Sequence, residues 1–235
     1  VETHIRKPHD SPSTATVADW ANSNRKTVAT ALGAFGVVVV VIVLVMIVMN
    51  LRSASAAEQF GAAMRTYDAP VNTAGQPLPP GTRSFATDAE RVKQANVEFA
   101  AIADKYGMTT SGKNAKYMVG VTAAELGQNS TAETVLKDVA SSWCSDRSSL
   151  ANLALAHLYH QTGRDSDAIA IYNKLTAKPS TVVPAGLAQM ELASLYESEN
   201  KPAEAKKIYA QLKDKDSKSP AGEMAAAKLA GQPLR

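Results

Sequence analysis

Two histidines three residues apart, His157 and His160 in the run LAHLYHQ, have the types and spacing that suit metal chemistry. On a helix, positions i and i+3 share a face, and two imidazoles placed there can ligate one ion. No third ligand keeps a spacing with them: Cys144 and Asp146 precede them in sequence without completing a pattern. They read as surface histidines. Cys144 is the single cysteine, which excludes an internal disulfide framework and a multi-cysteine zinc site. As a nucleophile it lacks any recognisable base arrangement, so it reads as a structural thiol. Gly107, Gly112, Gly120 and Gly127 are too widely spread for a phosphate loop and suit helix ends and helix contacts. Glu204, Lys206 and Lys207 typify carboxylates that alternate with lysines on solvated faces. The chain reads as a non-enzyme with no catalytic residue, no cofactor and no metal.

The elements that carry these residues are helical. Aromatics make up 6% of the 235 residues, alanine is abundant, and no stretch outside residues 27–51 alternates β-branched with polar residues. Most β-rich architectures are thereby excluded. The 25 basic and 22 acidic residues are mixed along the chain, so the net charge of +3 marks no nucleic-acid surface.

Thr27 to Asn50 carries no charge, and its core reads GVVVVVIVLVMIVM. As a helix the stretch extends about 36 Å, enough to cross a bilayer. Valine disfavours helix in water, but in lipid every backbone polar group must be bonded internally. Arg25 and Lys26 abut the span with Arg6 and Lys7 behind them, whereas only Arg52 and Arg65 follow closely. That bias predicts a cytoplasmic N-terminus and an extracytoplasmic remainder. Ala54-Ser55-Ala56 resembles a signal-peptide cleavage site, but the apolar run exceeds an ordinary signal core and predicts a retained anchor. Ala29, Gly33 and Gly36 form a stripe of small residues along which another transmembrane helix can pack.

Five segments follow: a flexible cytoplasmic tail over 1–26, a transmembrane helix over 27–51, a stalk helix over 52–67, a linker over 68–86 and a repeat domain over 87–235. The stalk rests on the helical spacing of Ala56, Phe60, Ala63, Met64 and Tyr67. The linker holds Pro70, Pro77, Pro79, Pro80, Gly75 and Gly81, which break helices. Thr87 and Glu90 form a capping box, followed by Val92, Ala95, Phe99, Ile102 and Tyr106 on one face and Gly107 as a stop.

Beyond it the sequence repeats with a period of 36 to 37 residues. Gly120, Ala156 and Ala193 coincide, as do Ala123, Tyr159 and Tyr196, and then Gly127, Gly163 and Asn200. In the second helices Ala132, Ala168 and Ala205 align, followed by Leu136, Tyr172 and Tyr209, then Val139, Leu175 and Leu212. Small residues let paired helices approach, larger ones fill the gap to the next pair, and Gly or Asn turns the chain. The array from Gly112 to Leu212 resembles the tetratricopeptide repeat family, most clearly at Leu155-Ala156, Tyr159, Gly163, Ala168 and Tyr172 and their echo at Leu192-Ala193, Tyr196, Ala205 and Tyr209. The resemblance implies an all-α helix-turn-helix solenoid; stacking of the pairs takes the helix after Thr87 and a short helix after Ser219-Pro220 as end caps, and the apolar run places one N-terminal transmembrane helix ahead of them. The order of parts also resembles the membrane-anchored ancillary subunits of the bacterial Sec translocon, which implies an inner-membrane protein with a periplasmic repeat domain.

In such a solenoid the first helix of each pair lines the concave surface. The repeat phase places Asn114, Tyr117, Val121 and Glu125 there, then Leu150, Leu153, His157, His160 and Gln161, then Leu187, Met190, Ser194 and Glu197. Only Asn114 suits the terminal-carboxylate clamp of some family members. An apolar groove instead suits an amphipathic helix or extended apolar segment, with Leu153 flanked by Tyr117 and Met190. The chain's own helix after Thr87 is the competing occupant. The sequence therefore predicts a membrane-tethered protein-interaction scaffold or chaperone-like accessory factor, the alternative being a structural subunit of a larger membrane complex.

Overall fold

A computed structural model of the chain describes residues 20–72, 81 and 83–231. The expected flexible tail up to residue 19, and residues 73–80 and 82 of the expected linker, lie outside the described residues. The chain divides into two compact units, Val1–Leu51 and Arg52–Arg235. The division falls inside the first long helix, α1, which runs over Arg25–Tyr67.

The N-terminal part of α1 is long and apolar enough to cross a membrane, and none of its most apolar window is buried within the protein. From Val37 to Val48 every side chain is 41% to 65% exposed. A core helix of a soluble protein would cover such a surface.

From Arg52 onward one face of α1 is covered by its own chain. Ala56, Ala63 and Thr66 are buried, and the two alanines share a cluster with Ala95, Phe99, Ile102 and Tyr106 of α2 (Asp88–Tyr106) and Ala115 of α3 (Thr110–Glu125). Gln59 Nε2 donates to Tyr106 Oη at 2.7 Å, Arg52 to the Lys105 carbonyl at 2.8 Å, and Arg91 to the Tyr67 carbonyl. The stalk expected over 52–67 is thus packed with the repeat domain expected to begin at 87. Ala56 and Ala63 lie against the apolar face of α2, which would otherwise be open. The linker is closed at its base as well: Val71 bridges Phe85, with Asn72 N donating to Phe85 O at 2.9 Å and Phe85 N to Pro70 O at 3.2 Å.

The repeats follow as α3 with α4 (Asn129–Ala140), α5 (Ser145–Gln161) with α6 (Asp165–Ala177) and α7 (Ala185–Ser198) with α8 (Pro202–Lys215), closed by α9 (Pro220–Leu229). Each helix packs on the next, and α3 also touches α5 while α7 touches α9. This is an all-α repeat solenoid. The aligned small residues Ala132, Ala156, Ala168, Ala193 and Ala205 are buried, as are Leu136, Tyr172, Tyr209, Val139, Leu175 and Leu212.

Thr87 caps α2 by accepting from Glu90 N at 3.1 Å. Gly107 stays at φ −54° after α2, so the helix does not stop through a left-handed residue. Thr109 ends the turn, its hydroxyl donating to Tyr106 O at 2.8 Å and accepting from Gly112 N at 3.0 Å. The three repeats turn alike: Gly127, Gly163 and Asn200 have φ of 70°, 74° and 59°. The next residue in each case donates back across the helix end, Gln128 to Ala123 O, Arg164 to Tyr159 O and Lys201 to Tyr196 O, at 2.9, 2.7 and 2.8 Å. Left-handed geometry is costlier for asparagine than for glycine. Asn200→Gly is therefore expected to raise stability by a few tenths to about 1 kcal/mol in denaturant titration.

Candidate docking surface

The first helices α3, α5 and α7 present the residues that the repeat phase assigned to the concave face, but most are already half-covered by their own chain. Tyr117 packs against the central cluster of Leu136, Val139, Ala151 and Leu155, and burial raises its phenol above the ordinary range. Leu153 touches that cluster and a second one formed by Leu175, Val183 and Ala188, where Leu150 also lies. Met190 packs instead on Ala193, Ala205, Tyr209 and Leu212. Leu153 thus shares the central cluster with Tyr117, while Met190 packs on a different one, because the first helix of each pair also fills the gaps between layers. Val121 is half-buried, and Leu187 is 36% exposed.

Both histidines bridge helices. His157 Nε2 lies 3.1 Å from Glu191 Oε2 on α7, its ring 6.2 Å from that of Tyr172. The bond to His157 holds the Glu191 carboxyl below its ordinary value against the opposing effect of burial. His160 Nδ1 lies 2.6 Å from Asp165 Oδ1, and its Nε2 lies 3.2 Å from Ser198 Oγ. Each imidazole is thus spoken for by a neighbouring helix. Among the described residues no group of three or more His, Cys, Asp or Glu is placed to hold a metal ion.

A polar network ties the first repeat to the second. Glu133 on α4 receives Arg164 at 3.0 Å, Tyr159 Oη at 3.0 Å and Lys137 at 2.7 Å, and the Arg164 guanidinium lies 4.0 Å over the Tyr159 ring. Lys137 and then Arg164 hold the Glu133 carboxyl down to about 2. A depressed folded-state pKa adds stability above the ordinary carboxylate range, and this is lost as pH falls toward 2. Solvent screens the network, so Glu133→Gln is expected to lower the thermal midpoint at pH 7 by only about 2 °C. The difference between the two proteins should shrink on acidification.

One feature escaped the repeat phase, and a second was caught by it only in part, at Asn114, Tyr117 and Leu150. Trp143, in the loop between α4 and α5, is 96% exposed. Beside it a groove of about 310 Å³ is lined by Phe60 and Met64 of α1, Asn114, Tyr117 and Met118 of α3, and Cys144, Asp146, Arg147 and Leu150 at the start of α5. A lone aromatic in a short loop has no period to announce it, although its neighbour Cys144 was already in view.

Residues 150–177, which make up α5 from Leu150 and the whole of α6, match the family model described as tetratricopeptide repeat. No curated protein and no solved structure matches the chain. The matched segment contains Ala156, Tyr159, Gly163, Ala168 and Tyr172, the positions that set the spacing of all three helix pairs. That match supports the tetratricopeptide repeat family as the kind of repeat from which this solenoid is built.

Proposed function

We propose that the chain is a membrane-anchored scaffold, or chaperone-like accessory factor, that docks other proteins on the extracytoplasmic side of a bacterial inner membrane. The observation that carries the reading is a tetratricopeptide repeat, a module that generally mediates protein–protein binding, in the same chain as an apolar helical run left exposed among the described residues. Arg25 and Lys26 before the run favour a cytoplasmic N-terminus. The order of tail, span and repeat array agrees with an accessory role beside a membrane complex such as the Sec translocon. A second reading, a fixed structural subunit, draws on the half-covered state of Tyr117, Leu150, Leu153 and Met190.

Orientation is tested with cysteines at Ser13 and Ser217 in a Cys144→Ser background, using an impermeant thiol reagent on intact cells. Labelling at Ser217 alone is expected; labelling at Ser13 alone inverts the topology. Docking is tested at Leu187, whose exposure separates binding from folding better than the half-buried Leu153. Leu187→Asp is expected to leave stability within about 0.5 kcal/mol of the parent while reducing the proteins recovered in mild detergent. Varied, substoichiometric clients would support the scaffold, and one stoichiometric complex that survives the substitution would support the subunit.

A further inference from the structure

We propose that the groove between α1, α3 and α5 is a self-association surface, filled by Trp143 of a second copy of this chain. At 96% exposure, Trp143 is the most exposed of the large apolar side chains among the described residues. Tryptophan in this state is an anchor without a socket, since covering it removes roughly 150–250 Å² from water. The socket lies next door: Cys144, the residue after Trp143, lines the groove, whose apolar walls are Phe60, Met64, Tyr117 and Leu150. Its volume of about 310 Å³ is of the size that admits an indole ring.

The placement of knob and hole on one surface selects the partner. A two-fold rotation sends each Trp143 into the groove of the other copy and closes the assembly at two, as an isologous interface requires. The groove's charges agree with that choice. Asp146 and Arg147 stand side by side; Asp146 has no partner among the described residues, and Arg147 spends only its Nε, donating to Asn114 Oδ1 at 3.2 Å. A lining that carries an acid beside a base gains little from a uniformly acidic or basic partner, but it complements itself, with Asp146 of each copy facing Arg147 of the other. The inference rests neither on the membrane reading nor on client docking.

The test uses the full chain in detergent micelles, read by light-scattering mass and by cross-linking at Cys144 with bismaleimidoethane. The parent should be dimeric and cross-linkable. Trp143→Ala should raise the dimer dissociation constant about tenfold or more with the thermal midpoint unchanged. Asp146→Arg should weaken the dimer, and Asp146→Arg combined with Arg147→Asp should restore it. A monomeric parent overturns the proposal, including one that carries another protein lost on Trp143→Ala. So does a dimer indifferent to Trp143→Ala, and its disappearance in Gly33→Leu or Gly36→Leu would assign association to the apolar helix instead.

Discussion

Phe99→Ala is expected to lower the stability of the Arg52–Arg235 unit by about 3–5 kcal/mol, which for a unit of this size is a fall of roughly 10 °C in thermal midpoint. Phe99 is completely buried, with the Phe60 ring centroid at 5.7 Å and that of Tyr67 at 6.4 Å. Both belong to α1, so the lost ring is one of the pieces that join α1 to α2. The cavity would be bordered by Ala56, Ala63 and Ala95, whose short side chains cannot reach in to fill it. Proteolysis within residues 52–67 should accelerate in the variant, since the ring helps to retain that segment beside the hydrogen bonds of Arg52, Gln59 and Arg91. The same reasoning bears on truncation. A chain beginning at Arg52 should melt well above one beginning at Thr87, which strips the cover from Val92, Ala95, Phe99, Ile102 and Tyr106. A loss below about 1.5 kcal/mol for Phe99→Ala would mean that α1 contributes little to the fold.

The repeat array was legible because its constraints are local and periodic. A left-handed turn demands Gly or Asn at one position, and a close helix pair demands Gly or Ala at another, so Gly127, Gly163 and Asn200 and the alanine columns announce themselves. Helical periodicity was equally plain in Ala56, Phe60, Ala63, Met64 and Tyr67, but an apolar stripe does not state what covers it. The prolines after Pro70 argued for separation, yet composition does not reveal that the two ends of such a segment meet, as Val71 and Phe85 do. Val183 is a core residue inside the loop KPSTVVP, fixed by mutual hydrogen bonds with Ser180, and a single apolar residue there has no period to be read. The docking surface was legible only as phase. Phase assigns Leu153 and Leu187 to one face, while neighbouring layers decide that the first is packed and the second is open.

The start of α3 offers the case in which propensity and packing pull in opposite directions. In a helix interior, glycine to alanine ordinarily gains about 1 kcal/mol, so Gly112→Ala would stabilise α3 if space allowed. A Cβ at Gly112 would lie 1.9 Å from the Tyr106 carbonyl oxygen and 2.3 Å from its carbon. Both are backbone atoms. That carbonyl is held in place, accepting from Thr109 N at 2.8 Å and from the Thr109 hydroxyl at 2.8 Å, while the same hydroxyl accepts from Gly112 N at 3.0 Å. Relief requires the turn between α2 and α3 to open and the cap to break, so the clash outweighs the propensity gain. The expected net loss is about 3 kcal/mol or more, read as a midpoint lower by roughly 6–12 °C. The same device recurs at Ser219, whose hydroxyl accepts from Gly222 N at 3.1 Å while a Cβ there would lie 2.0 Å from Asp216 O. Gly222→Ala is expected to cost less, since α9 closes the C-terminal end of the array and can detach without unfolding the rest. Gly120→Ala supplies the internal scale. Its Cβ would meet Leu136 Cδ2 at 2.7 Å and Cγ at 2.8 Å, side-chain rather than backbone atoms, so its loss should fall below that of Gly112→Ala. A midpoint raised by Gly112→Ala would show that the Gly107–Thr109 turn yields freely and that helix propensity governs this junction.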